Sequence, residues 1–161
     1  MQEPSHAVPS PTDIRQATAA DVEIIVAFNR SMAQETEVKE LPPQVLLPGV
    51  QAAVEDQSLA RYFLASRDGT VVGQLMLTTE WSDWRNGQIW WIQSVYVRPE
   101  HRRGGVFRAL YQHVEQLGRH TPGVVGLRLY VERHNVIAQR VYEMLGMRDA
   151  GYVVFERMWS E

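Results

Sequence analysis

A chain of 161 residues, 45% hydrophobic, is the size of one packed domain. Its formal net charge of -3 argues against nucleic acid as a partner, because gripping a phosphate backbone takes a broad basic surface. The sequence contains no cysteine, which excludes disulfides, thiolate metal centres and a cysteine nucleophile, and no metal site is expected.

Residues 1–12 carry three prolines and neither the basic nor the apolar segment of a signal peptide, so they read as a flexible tail before a single domain over residues 13–161. No stretch approaches the roughly 18 apolar residues of a membrane span, and a cytoplasmic protein with no membrane partner is the expectation. Residues 14–17 form a short strand candidate, and Thr18 with Asp21 reads as a helix N-cap with an acid in the first turn. The helix that follows sets Val22, Ile25, Val26, Asn29, Met32 and Ala33 at helical spacing, widened by Ile24 and Phe28, and weakens in the acidic segment 35–40. Residues 42–55 are helical in pattern but interrupted by Pro48 and Gly49, and a break is predicted there.

Residues 59–66 and 70–79 read as strands joined at Asp68 and Gly69, a tight-hairpin dipeptide. A loop over 81–86 leads to a third strand, Gly87–Val97. Ile89, Trp91, Gln93, Val95 and Val97 fall on one face and Trp90, Ile92, Ser94 and Tyr96 on the other, both largely apolar, as in a central strand. From Gly105 a helix carries Val106, Leu110, Val114 and Leu117 on one stripe and stops near Gly118. A strand over 124–131, a helix over 135–145 capped by Gly146, and a final strand over 152–159 complete the order. This predicts an α+β fold with a mixed sheet: an antiparallel meander of three strands, then a helical crossover that makes Gly87–Val97 and the 124–131 strand parallel neighbours.

The chemistry concentrates between strand and helix. Between Arg98 and Arg108 stand four arginines and His101 against one acid, Glu100. A helix N-terminus presents outward-pointing backbone N–H groups, and arginines at Arg102 and Arg103 add bidentate phosphate contacts. Neither the P-loop pattern G-x-x-x-x-G-K-[ST] nor the dinucleotide pattern G-x-G-x-x-G is present. On residues alone the choice lies between an anion site and a plain solvated turn.

Val97, Arg98, Pro99 and Glu100, followed by Arg102, two residues and Gly105, resemble the acetyl-coenzyme A signature of the GCN5-related N-acetyltransferases (GNAT superfamily). Asn135, Ala138, Val141, Tyr142, Leu145, Gly146 and Met147 resemble that family's second motif, N-x-x-A-x-x-[LV]-Y-x-x-x-G-[FM], at the expected distance downstream. Within a compatible element order over residues 14–159, the resemblance implies a GNAT-like acyl-CoA N-acyltransferase fold with acetyl-CoA as cofactor. It assigns the pyrophosphate to the turn of Arg102, Arg103, Gly104, Gly105, Val106, Phe107 and Arg108. It also implies that the Gly87–Val97 strand splays from its parallel neighbour at a bulge, so that Val95, Tyr96 and Val97 offer N–H groups to the thioester carbonyl and line the pantetheine slot. Asn135 would bond the pantetheine arm, cap its helix, or do both. Tyr142 would protonate the departing coenzyme A thiolate, against the alternative of a core tyrosine with its hydroxyl at the edge. One position departs from the signature: Phe107 stands where Gly or Ala is usual. It keeps the backbone N–H the turn needs, so the departure bears on cofactor affinity, unless its ring simply points into the core.

Acetyl transfer to an amine requires an oxyanion site, a neutral amine and a proton for the leaving sulfur. Neutralising an amine of pKa about 10.4 at pH 7 costs about 4–5 kcal/mol. Where some relatives place a glutamate on the central strand, this sequence holds Trp91 and Gln93, which leaves Glu80 or Asp83 acting through water, or solvent itself. Trp81, Trp84, Trp90 and Trp91 around those acids suit either a cationic amine or sheet packing. Glu35, Glu37 and Glu40 lie where the family admits its acceptor, or form a solvated face. The implied function is acetyl-CoA-dependent N-acetylation of a primary amine of a small molecule, such as a polyamine or amino acid. Alternatives are a protein lysine or N-terminal acetyltransferase and a non-catalytic acyl-CoA-binding module. The family also makes a homodimer an expectation.

Overall fold

The computed structural model describes residues 10–159, so most of the expected tail lies outside the described residues. These residues divide after Leu129 into two compact units. The first runs β1 (Asp13–Gln16), α1 (Val22–Glu37), α2 (Pro43–Glu55), β2 (Arg61–Arg67), β3 (Thr70–Ser82), β4 (Gly87–Val97), α3 (Val106–His120) and β5 (Val124–Leu129). Its sheet has the order β1-β2-β3-β4-β5. The first three pairings are antiparallel and β4 with β5 is parallel, as the crossover through α3 requires. Among the described residues no helix is long and apolar enough to cross a membrane.

Thr18 and Asp21 form the anticipated capping box, closing a short 3-10 turn, Ala19–Asp21, that leads into α1. Arg15 grips both carboxylate oxygens of Asp21 at 2.7 Å. That hydrogen-bonded pair holds the Asp21 pKa down at about 2, helped by the Thr18 N–H and hydroxyl.

The break expected at Pro48 does not occur: α2 is one helix through Pro48, with Pro43 in its first turn. A mid-helix proline removes one backbone bond, but Leu46, Val50, Ala53 and Val54 lie on one stripe across it and pack against Ile25, Tyr62 and Leu64. Burial on both sides of the proline keeps the helix together.

Helices α1 and α2 cover one face of the sheet and α3 the other, where Val106, Leu110 and Val114 are buried and His113 lies against Phe63. Within β4 the two-residue alternation predicted from the sequence slips. Register with β3 passes from Met76↔Gln93 to Gln74↔Tyr96, so Leu75 faces both Ser94 and Val95, and Ser94 has φ 48°. This two-for-one bulge exchanges the faces beyond it. Trp90 packs toward Gly118 of α3, whereas Tyr96 turns to Phe28 of α1, and Val97 approaches the Val106 side chain.

The second unit holds α4 (Val136–Met144), followed by a turn at Gly146, φ 86°. The final strand expected over residues 152–159 is not formed; Tyr152, Val153, Val154 and Phe155 are exposed and belong to no ladder. A strand needs backbone partners, and the regular element of this unit is a helix.

Candidate active site

The bulge matters because of where β4 ends its parallel pairing. β5 accompanies β4 only to Ile92↔Leu129, while β4 continues to Val97. The Arg98 N–H bonds the Val72 carbonyl on β3 at 2.9 Å. Backbone groups alternate edges along a strand, so Tyr96 also faces β3, and Val95 and Val97 turn their N–H groups to the opposite, open edge. The Val97 carbonyl on that edge accepts from Arg102 Nε at 2.9 Å.

A cavity of about 330 Å³ lies along this edge, lined by Val95, Tyr96, Val97 and Arg102 and, from α1, by Met32, Glu35 and Thr36. Glu35 crosses it. Its carboxylate accepts from Arg102 Nη2 at 2.6 Å and from the Tyr96 hydroxyl at 3.1 Å. Beyond Glu35 a second, open depression of about 550 Å³ runs along α1 past Arg30, Gln34, Lys39 and Glu40. The sequence placed Glu35 in an acidic run but gave no sign of its partner, 67 residues away.

The Arg/Gly turn delivers α3. Gly105 adopts φ 82° and ψ 5°, a left-handed conformation that suits glycine, and nothing within 4 Å would meet a Cβ there. Ala109 N–H makes a helical bond back to the Gly105 carbonyl at 3.0 Å, so the N–H groups of Val106, Phe107 and Arg108 point out of the helix end. Arg102, Arg103 and Arg108 are exposed around it. Arg67, which no sequence signal marked, donates from Nη2 to the Gly104 carbonyl and from Nε to Thr12 Oγ1 at 2.9 Å. A Cβ on Gly104 would stand 2.8 Å from its Nη1, so glycine there makes room for the clamp. The Phe107 ring is half-buried and lies 6.2 Å from that of Tyr111, one turn along the helix. It extends along α3 and leaves the space at Gly105 clear.

In the second unit Asn135 caps α4, its Oδ1 accepting from Ala138 N–H at 3.1 Å. Tyr142 is half-buried on α4, and burial raises its pKa above the usual tyrosine range, which keeps the hydroxyl protonated.

The profile of the Acetyltransferase (GNAT) family matches residues 26–147. The chain belongs to that family. Among solved structures it is similar to a possible acetyltransferase from Clostridium difficile 630, at 41% identity, with 93% of this chain and 99% of that one covered and a TM-score of 0.86. It shares its fold with the ribosomal-protein-alanine N-acetyltransferase of Brucella melitensis biovar Abortus 2308 (18% identity, 92% and 99% covered, TM-score 0.74). A similar match is AAC(6')-Iy in complex with a bisubstrate analogue of coenzyme A (21%, 92% and 99%, 0.74). No curated protein matches the sequence.

GNAT acetyltransferases use acetyl-CoA, and this turn fits it: an open helix N-terminus on a left-handed glycine, ringed by exposed arginines. In this GNAT domain Glu80 and Asp83 both accept hydrogen bonds. Glu80 accepts from Trp91 Nε1 at 2.6 Å and from Arg128 Nη1 at 2.7 Å, and Asp83 accepts from the Trp84 N–H at 2.9 Å. Trp90 is buried in the sheet, whereas Trp81 and Trp84 are exposed.

Proposed function

We propose that this acetyltransferase moves an acetyl group from acetyl-CoA to a primary amine of a small molecule, a polyamine, an amino acid or a related compound. The observation that carries the reading is the open edge of β4 at Val95 and Val97, facing a cavity that also holds the Glu35 carboxylate. Bound acetyl-CoA supplies an activated acetyl thioester. The α3 N-terminus with Arg103 and Arg108 holds its pyrophosphate, and Arg102 exchanges its bond to Glu35 for a phosphate oxygen. Val95 and Val97 donate N–H bonds to the thioester carbonyl, where negative charge develops as the amine attacks. Glu35 anchors the incoming ammonium by charge and orients it, and the ammonium gives its proton to solvent water before its nitrogen attacks, since no carboxylate stands at Trp91 or Gln93 to take it. Asn135 bonds the pantetheine arm with the amide nitrogen its capping role leaves over, and Tyr142 hands its proton to the departing sulfur.

A small acceptor is favoured because Glu35 lines both a cavity of only about 330 Å³ and the adjoining depression, which carries charge of both signs. The AAC(6')-Iy fold relative, solved with an acetylneamine analogue, illustrates a small amine on this fold. Thiol release from acetyl-CoA across polyamines, amino acids, aminoglycosides and peptide N-termini tests the proposal. Turnover confined to peptides would replace the small-molecule assignment, and cofactor binding without turnover on any acceptor would favour a binding module.

A further inference from the structure

The bulge that aims Val95 and Val97 is itself held by a buried polar chain. Gln74 lies on β3 with no exposed surface, among Val72, Leu75 and Leu77. Its Nε2 donates to the Ser94 carbonyl at 3.2 Å and to Asn29 Oδ1 at 2.7 Å. Asn29 Nδ2 donates in turn to the Tyr62 hydroxyl at 3.2 Å. Residues of three elements, Tyr62 of β2, Asn29 of α1 and Gln74 of β3, therefore form one chain that ends on Ser94 of β4. Ser94 needs them for two reasons: its φ of 48° is a left-handed conformation that L-residues adopt at a cost, and its place in the bulge puts its carbonyl outside the regular ladder.

Stability alone does not explain Gln74. Its Oε1 is buried with no hydrogen-bond partner among the described residues, a penalty that an apolar residue of similar size avoids. Its amide nitrogen, in contrast, reaches the carbonyl that the bulge displaces.

We infer that Gln74, with Asn29 and Tyr62 behind it, is a positioning residue that fixes Ser94 in the bulge and so aims the Val95 and Val97 N–H groups at the thioester carbonyl. The inference rests on the role proposed above for those two N–H groups. Gln74 touches neither substrate; it acts through the backbone of Ser94. Its loss relaxes the bulge toward regular pairing, which turns the Val95 edge by one residue.

The test is the infrared stretch of acetyl-CoA isotope-labelled at the thioester carbonyl, bound to the full chain without acceptor, alongside calorimetric affinity for coenzyme A. The unmodified chain is expected to shift the stretch to lower frequency than in solution. Gln74→Met is expected to bind coenzyme A unchanged, to lose most of that shift, and to lower turnover about 10²–10³-fold, the scale of a lost oxyanion donor. Adding Ser94→Gly to Gln74→Met is expected to restore the shift, because glycine takes the left-handed conformation unaided. Should Gln74→Met fail to fold, Tyr62→Phe removes one hydroxyl from the same chain and is expected to weaken the shift. A folded Gln74→Met or Tyr62→Phe protein with the full shift, or a double variant that Ser94→Gly does not restore, would overturn the inference and leave the proposed function standing. No binding of acetyl-CoA by the unmodified chain would overturn both.

Discussion

Gly105 and Gly69 form a matched pair that separates backbone cost from cofactor contact. Gly105 has φ 82° and Gly69, at the tip of the β2–β3 hairpin, has φ 75°; an added Cβ meets nothing within 4 Å at either. Substitution by alanine therefore brings no clash within the chain, only the strain of an L-residue in a left-handed conformation, about 1–2 kcal/mol. Both variants are expected to melt roughly 2–8 °C lower, since 1 kcal/mol corresponds to about 2–4 °C at this chain length. They diverge in binding. In Gly105→Ala the new methyl stands beside the N–H groups to which the pyrophosphate is assigned, and weakening one charge-assisted bond of about 1.5–3 kcal/mol raises the coenzyme A Kd by about 10–100-fold. In Gly69→Ala the Kd is expected to stay as it was. Calorimetric melting and titration with coenzyme A measure both quantities on the same samples. If Gly105→Ala binds coenzyme A as tightly as Gly69→Ala, the assignment of the pyrophosphate to this turn is wrong.

Tyr142→Phe is expected to lower turnover by about 10²–10⁴-fold with little change in the KM for acetyl-CoA; unchanged turnover excludes the proton-donor role. Because burial raises the Tyr142 pKa above its ordinary 10.0, the hydroxyl stays protonated below that pH, and any alkaline loss of rate arising from Tyr142 must set in above it. A rate profile that collapses near pH 8 has another source. Glu35→Ala removes a bridge whose partners are both substantially exposed, 44% and 39%, so stability should change by less than about 1 kcal/mol. The KM for the amine should rise at least about 10-fold, the equivalent of 1.4 kcal/mol, while coenzyme A affinity holds or improves as Arg102 is released; an unchanged amine KM removes Glu35 from the acceptor site. Asp21, held at about 2 against an ordinary 3.8, has a depressed pKa. Its contribution is thus full above about pH 4 and is lost as pH falls through 2. Allowing for the half-exposed Arg15, about 1–2 kcal/mol is at stake. Urea unfolding at about pH 5 and about pH 2.5 should show a smaller acid loss in Asp21→Asn than in the unmodified chain, and equal losses would contradict the assignment.

What was legible in the sequence was local. The Asp68-Gly69 hairpin, the Thr18–Asp21 box and the Gly105 start of α3 each depend on residues within one turn of each other, and each formed. The parallel β4–β5 pair followed from a crossover rule that needs only element order. Pro48 misled because its local penalty was real but smaller than the packing of Leu46, Val50, Ala53 and Val54 against residues from α1 and β2. The apolar run Tyr152–Val153–Val154–Phe155 misled in the opposite sense: its composition favours a strand, but composition does not supply a ladder.

The family resemblance implied a bulge in this strand, but the residue pattern did not show where it falls, for a more specific reason. In a strand with one wet face, a one-residue slip moves polar residues inward and leaves a mark on the pattern. In β4 both faces are largely apolar, so the slip at Ser94 exchanges one apolar set for another and the sequence carries no trace of its phase. Yet the slip has chemical consequences. Had the alternation continued unbroken from Trp90 and Ile92, Tyr96 would face α3. Instead it faces α1, where its ring meets Phe28 and its hydroxyl meets Glu35. The same displaced residue that leaves Val95 and Val97 on the open edge therefore also brings the Glu35 carboxylate and its partner Arg102 to that edge. In the proposed reaction, donors for a developing negative charge and a carboxylate for a positive one are set side by side by a single irregularity of the backbone, and the inferred role of the buried Gln74 is to maintain it.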